Sequence, residues 1–117
     1  MDILVVEDEH DVRVVLREIL EGAGWHVTTA ANGRDALALL RGGMRPAIIV
    51  IDLWMPMMDG WQLLAAMRGD PELAAIPVGV QTAHDEARLP EGLAFVLVKP
   101  VDAERLLRAL APFAAPR

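Results

Sequence analysis

An apolar run of β-branched character at residues 48–51 ends at one carboxylate, Asp52, and this stretch constrains the fold more than any other. A continuous apolar run of this kind is typical of a strand buried on both faces, as in a parallel sheet. Turn-forming residues such as Asp59 and Gly60 follow it. Asp52 is therefore expected at the carboxyl end of a central strand, the edge where open α/β sheets bind ligands. Taken alone, its carboxylate could be a nucleophile, a metal ligand or the cap of the next turn.

The rest of the chain alternates between strand-like and helix-like segments. Short apolar runs at residues 3–6, 47–51, 76–80 and 95–98 each predict a strand, and so do the β-forming residues at 25–29. Apolar residues at helical spacing separate most of these runs, and Asn32 and Asp102 are expected to cap two of the helices. A β-α unit repeated about five times predicts an α/β fold, a parallel sheet with helices on both faces.

The segment between the fourth and fifth predicted strands is short. Residues 84–91 are too few and too polar to favour a full helix, and Pro90 would end one. We therefore expect a shortened fourth helix at this place in the alternating pattern. The whole chain, residues 1–117, is predicted to be one domain, with residues 113–117 as the start of a linker.

Charge and residue usage exclude several classes of partner. The net charge of −6, from 17 acidic and 11 basic residues, argues against binding to nucleic acid or to an anionic membrane surface. The absence of cysteine excludes disulfides and thiolate metal sites. The first residues have neither the basic region of a signal peptide nor the length of a membrane span, so a cytoplasmic setting is expected.

Polar side chains follow four of the predicted strands where each strand ends. Glu7 and Asp8 follow the first strand, and Asp52, Thr82 and Lys99 end the third, fourth and fifth. Three carboxylates at one sheet edge repel one another, which predicts a bound cation, and magnesium favours carboxylate and phosphate oxygens. The lysine and the hydroxyl suit a phosphoryl group. The set predicts a site for a metal-bound phosphoryl group, with Asp52 available as the nucleophile.

Each of these residues also has an ordinary structural explanation. Glu7 and Asp8 could cap the first helix, since acidic side chains favour helix N-termini. Thr82 could be a turn hydroxyl, and Lys99 could be a solvated strand end. The coincidence of four strand ends at one edge favours the functional interpretation.

Four sequence motifs occur in a fixed order along almost the whole chain. With them the chain resembles the response-regulator receiver domain of two-component signalling and is similar to the single-domain chemotaxis regulators. The resemblance implies a flavodoxin-like three-layer sandwich with a five-stranded parallel sheet in the order 2-1-3-4-5. The motifs are Val5-Val6-Glu7-Asp8, Asp52-Leu53-Trp54-Met55-Pro56-Met57-Met58-Asp59-Gly60, Val80-Gln81-Thr82-Ala83 and Val98-Lys99-Pro100.

The resemblance implies a phosphoacceptor switch in a two-component phosphorelay. Asp52 would take a phosphoryl group from a sensor histidine kinase or a histidine phosphotransfer protein and relay the signal by a conformational change. The cofactor would be Mg²⁺, with Glu7, Asp8, Asp52 and the backbone carbonyl of Trp54 as its ligands. Such a domain catalyses only its own phosphorylation and dephosphorylation and is not a metabolic enzyme.

The resemblance also implies roles at the last two strand ends. Thr82 and Lys99 would hold phosphoryl oxygens, and the Lys99–Pro100 peptide bond is expected to be cis. One position departs from the family pattern. The family usually carries an aromatic residue three positions before the lysine, where this chain has Val96, and the neighbouring Phe95 points to the opposite face of a strand.

Two other function classes remain as alternatives. Phosphatases of the haloacid dehalogenase type also use a strand-end aspartate with magnesium. They place a second aspartate two residues later, where this chain has Trp54, and the chain lacks an obvious cap domain. The other alternative is a receiver-like interaction module that works without phosphorylation, which the intact set of polar strand ends disfavours.

Overall fold

Strands and helices alternate along the chain much as the sequence predicts. A computed structural model describes residues 1–83 and 89–114, and within them the chain forms five strands and five helices. The strands are β1 (Asp2–Val6), β2 (His26–Ala30), β3 (Ile48–Asp52), β4 (Val78–Thr82) and β5 (Phe95–Val98). The helices are α1 (His10–Gly22), α2 (Gly33–Arg41), α3 (Gly60–Arg68), α4 (Pro71–Ala74) and α5 (Ala103–Ala114).

All five strands run parallel in one sheet, in the order β2-β1-β3-β4-β5. This arrangement confirms the predicted α/β, flavodoxin-like fold and its strand order. Some strands begin and end one or two residues later than predicted. The third strand is Ile48–Asp52 instead of 47–51, and the fourth is Val78–Thr82 instead of 76–80. Asp52 keeps strand geometry because its backbone is paired in register with Gln81 of β4.

Helices cover both faces of the sheet and make the three-layer sandwich. On one face, the α2–α3 face, buried residues of α2, α3 and α4 pack against β-strand residues such as Val6, Ile51 and Val80. On the other face, the α1–α5 face, Leu16 of α1 and Leu106 of α5 pack against β-strand residues of the sheet. Alternate residues of each strand therefore belong to different cores, as expected for a buried parallel sheet.

Helix caps explain where several helices begin. Asn32 and Asp102 accept backbone N–H bonds from Asp35 and Arg105, as predicted for these two caps. The four-residue helix α4 was not predicted, although Asp70 caps it and Pro71 occupies its first turn. The last helix contains Pro112 and continues to Ala114, so it includes the first two residues of the predicted linker segment.

The shortened fourth helix is predicted in the segment between β4 and β5. Residues 84–88 of this segment lie outside the described residues, and residues 89–94 form no helix. The Arg68 guanidinium donates to the Glu91 carbonyl, and the Ala94 N–H donates to the Val78 carbonyl at 2.7 Å. These contacts attach the second half of the segment to α3 and β4.

Candidate functional site

The turn between β1 and α1 places two carboxylates at the carboxyl edge of the sheet. Glu7 is fully buried, and Asp8 is half-buried. The Arg13 guanidinium donates to the backbone carbonyls of both residues, at 2.8 and 2.9 Å. The N-cap of α1 is Glu9, which makes no side-chain cap, and its N–H donates to Glu7 Oε2 at 3.2 Å. The turn therefore has a fixed backbone, and one oxygen of Glu7 supports the start of the helix.

Asp52 lies at the end of β3 and is almost completely buried. Its Oδ1 accepts the Trp54 N–H at 3.1 Å, so one half of the carboxylate does cap the following turn. Its Oδ2 accepts from Lys99 Nζ at 2.7 Å. The capping and the functional interpretations of this carboxylate are therefore compatible, because each uses a different oxygen.

Lys99 connects the far edge of the sheet with its centre. Its Nζ contacts Asp52 Oδ2 at 2.7 Å and Glu7 Oε1 at 3.0 Å, so one ammonium bridges two buried carboxylates. Its backbone N–H donates to the Thr82 carbonyl at 2.7 Å. The Lys99–Pro100 peptide bond is cis, as predicted. Lys99 is thus an ion-pair partner inside the site and not a solvated strand end.

Burial and ion pairing shift the pKa values of two of these groups. Burial raises the pKa of the Glu7 carboxyl, and hydrogen bonds from Lys99 and from the Glu9 backbone only partly offset that effect. Burial alone would lower the pKa of Lys99, but its hydrogen bonds to Asp52 and Glu7 outweigh burial and raise it. The site therefore holds a firmly charged lysine beside a carboxyl group for which ionisation is costly.

The three carboxylates form a cluster of the type that binds hard cations. Glu7, Asp8 and Asp52 can each direct one oxygen so that all three oxygens lie within 4.8 Å of one another. Such an all-oxygen set suits Mg²⁺. The raised pKa of Glu7 fits a site where an added positive charge would favour its ionised form. The residues present therefore fit a magnesium ion, as predicted from the sequence.

The other predicted residues lie around this cluster. Thr82 is buried at the end of β4, and its carbonyl is bonded to Lys99. Trp54 follows Asp52 by two residues, is 52% exposed, and packs edge-on against Trp61 with ring centroids 4.8 Å apart. The sheet edge therefore brings together all of the strand-end residues that the sequence singled out.

Two residues of the site were not predicted from the sequence. Arg13 holds the carbonyls of the acidic turn, but on the sequence it is one of several charged residues on the polar side of a helix. Gln81 is a buried polar residue inside β4, next to Asp52 in register. The sequence signal for Gln81 was a polar residue inside an otherwise apolar strand. Because buried amides need hydrogen-bond partners, such a residue indicates a polar neighbour in the fold.

A sequence model of the response regulator receiver domain matches residues 3–111 of the chain. The chain belongs to this family. It is 34% identical over 113 residues to the protein PilH of Pseudomonas aeruginosa, covering 92% of this chain and 93% of PilH. The chain is therefore a receiver domain of the kind found in two-component signalling, a class of signalling switches and not of metabolic enzymes.

Solved structures of similar sequence share the fold. The chemotaxis response regulator CheY4 of Vibrio cholerae is 31% identical, with a TM-score of 0.85 over 96% of this chain and 97% of that chain. The receiver domain of the sensor histidine kinase PA1611 from Pseudomonas aeruginosa is 25% identical, with a TM-score of 0.87 over 97% and 98%. That domain has a magnesium ion coordinated in its active site cleft. Among the described helices here, none is long and apolar enough to cross a membrane.

Proposed function

We propose that Asp52 is the phosphoacceptor of this receiver domain. The observation that carries the proposal is the 2.7 Å contact between Asp52 Oδ2 and the Lys99 ammonium at the carboxyl edge of the sheet. This contact places a nearly buried carboxylate beside a positively charged side chain. The Lys99 ammonium can then move to a phosphoryl oxygen when one arrives. A carboxylate so placed is suited to form an acyl phosphate.

Glu7, Asp8 and Asp52 would hold a Mg²⁺ ion, with the Trp54 backbone carbonyl as a further ligand. The geometry of the three carboxylates supports this set, and the magnesium site of the similar PA1611 domain supports the choice of metal. When bound, the ion would neutralise charge on the phosphoryl oxygens. The Arg13 bonds keep the acidic turn in place for this purpose.

The phosphoryl donor would be a phosphohistidine of a sensor histidine kinase or a histidine phosphotransfer protein. An Asp52 oxygen attacks the phosphorus, a P–O bond forms, and the P–N bond to the imidazole breaks. The departing imidazole nitrogen keeps the electron pair and takes a proton from solvent. Lys99 and Thr82 would bind the phosphoryl oxygens, so the domain catalyses its own phosphorylation and, with water as the acceptor, its own dephosphorylation.

The two alternatives receive less support. A phosphatase of the haloacid dehalogenase type needs a general acid two residues after the nucleophile, and Trp54 at that position has no acidic group and packs against Trp61. In a module that never takes phosphate, the lysine held between two buried carboxylates would be only a structural ion pair, and buried pairs of this kind contribute weakly to stability. The cytoplasmic setting remains a prediction from the sequence.

Phosphorylation with a small donor tests the proposal. With acetyl phosphate and Mg²⁺, the intact mass should rise by about 80 Da, the mass that one phosphoryl group adds when the acyl phosphate forms. Asp52→Asn should abolish this gain. Asp59→Asn is the matched control, because Asp59 is a nearby carboxylate whose role is to cap α3, and asparagine caps equally well. Full modification of the Asp52→Asn variant would refute the assignment.

A further inference from the structure

Gln81 has a buried hydrogen-bond donor that is not used in this structure. Its side chain is 2% exposed, and within residues 1–83 and 89–114 its Nε2 is the only buried side-chain nitrogen or oxygen atom without a hydrogen-bond partner. Buried amide groups of this kind are rare, because leaving them unpaired costs free energy. A leucine or methionine would fill the same place in a strand without that cost. The amide therefore calls for an explanation.

The sheet places Gln81 beside the phosphoacceptor. The Cα atoms of Gln81 and Asp52 are register partners on β4 and β3. Alternation along the strands puts both residues on the α1–α5 face, because Val80 packs on the opposite face and Val50 packs on this one. A neighbouring strand lies only about 4.8 Å away. Gln81 is thus the residue of β4 directly opposite Asp52, on the same face of the sheet.

The side chain of Lys99 lies at the same edge of the sheet as Gln81. Lys99 follows β5, whereas its Nζ contacts Asp52 on β3 and Glu7 after β1, so its alkyl chain must cross β4. Lys99 and Gln81 also line the same groove, of about 590 Å³, between α1 and the turn that follows β5. Gln81 and the lysine that binds Asp52 therefore share one groove at this edge of the sheet.

The described donors to Asp52 do not include the amide of Gln81. Asp52 Oδ1 accepts the Trp54 N–H, and Oδ2 accepts Lys99 Nζ, so each oxygen of the carboxylate has one donor and could accept a second. A phosphoryl group on Asp52 brings three new acceptor oxygens and attracts the ammonium of Lys99. The oxygen that the lysine then leaves has no other donor among the described contacts of Asp52.

We propose that Gln81 is a positioning residue for the phosphorylated state, in which its side-chain amide donates to the Asp52 oxygen that Lys99 leaves as it turns toward the phosphoryl group. The inference rests on the proposed function of Asp52 and adds a residue to it. Gln81 neither reacts nor binds the phosphoryl group. It holds the carboxyl group of Asp52 in the orientation that the acyl phosphate needs.

Replacement of the amide by an apolar side chain of similar size separates this role from a structural one. We would measure the affinity of the whole chain for beryllofluoride with Mg²⁺ by calorimetry, and the denaturant midpoint of the same proteins without ligand. In Gln81→Leu and Gln81→Met, affinity should fall about 3- to 10-fold, the size of one hydrogen bond. The midpoint without ligand should stay equal or rise, because an unpaired buried donor has been removed.

A spectroscopic signature and a matched control complete the test. The side-chain amide signal of Gln81 should shift downfield when beryllofluoride binds, as expected when the amide gains a hydrogen-bond acceptor. Leu97→Met is the control, since Leu97 pairs with Gln81 on the same face and has no polar group. Its affinity should equal that of the wild type.

Unchanged affinity in both Gln81 variants would overturn the inference, and so would a lower midpoint with unchanged affinity, which indicates a structural role only. If one variant does not fold, the other and the amide signal still decide. Failure of the wild-type chain to bind beryllofluoride or to take phosphate from acetyl phosphate would instead refute the proposed function of Asp52. The two failures are therefore distinguishable.

Discussion

The contact between Gly79 and Phe95 should make alanine destabilising at a position where it would normally help. Gly79 lies inside β4, and the ring of its register partner Phe95 occupies the space where a side-chain Cβ would project. In an open strand, glycine costs about 0.5–1 kcal/mol relative to alanine, so Gly79→Ala would stabilise the fold. Here the new methyl group overlaps the ring, and overpacking of this kind costs about 1–3 kcal/mol.

We therefore expect Gly79→Ala to lower the free energy of unfolding by about 1–2 kcal/mol. With about 2.1 cal/mol/K of unfolding entropy per residue and 117 residues, that loss corresponds to a fall in Tm of roughly 4–8 °C. Urea unfolding should show a lower midpoint and an unchanged m-value, which indicates a change of stability alone.

The double mutant identifies the cause. Once Phe95→Ala has removed the ring, the same Gly79→Ala change should be neutral or stabilising. The coupling free energy between the two positions should then be about 1–3 kcal/mol. If Gly79→Ala stabilises the wild-type chain, or if the two changes are additive, the ring does not restrict this position and the reasoning fails.

Two further predictions concern the site itself. Arg13→Ala should weaken Mg²⁺ binding about 10-fold in a calorimetric titration, because the carbonyls of the acidic turn lose their donor. The control is Arg17→Ala, which removes only a long, exposed contact. Equal losses of affinity in both variants would contradict this prediction. Trp54→Asn should speed the decay of the aspartyl phosphate, followed by intact mass, because the indole beside Asp52 obstructs attacking water; an unchanged or slower decay would refute this steric explanation.

The sequence predicted the sheet and its functional edge because both depend on local patterns. A buried parallel strand needs an apolar run, and Asp52 marks the residue where the run meets the solvent edge. The short helix α4 was missed because a four-residue helix has no apolar period to detect. Its signals were the cap at Asp70 and the proline at Pro71, which fit a turn equally well.

Contacts that cross the sheet could not be predicted in this way. The distance from Lys99 to Glu7 depends on the register and twist of four strands, and 92 positions separate the two residues in the chain. The same holds for Arg13, whose bonds to the acidic turn depend on how α1 leaves the sheet. The unpaired amide of Gln81 became visible only when its neighbours were known.

The departure of this chain from the family pattern in β5 has a structural explanation in β4. The ring of Phe95 packs over Gly79 on the α1–α5 face. Val80 packs on the α2–α3 face, and because side chains alternate along a strand, Thr82 lies on that same face. The aromatic side chain therefore cannot follow a movement of the threonine hydroxyl. One direct connection between the fourth and fifth strand ends is the 2.7 Å bond from the Lys99 N–H to the Thr82 carbonyl. Because that bond joins two backbones, we infer that if Thr82 shifts in a phosphorylated state, the shift would reach the turn before α5 as a displacement of the main chain.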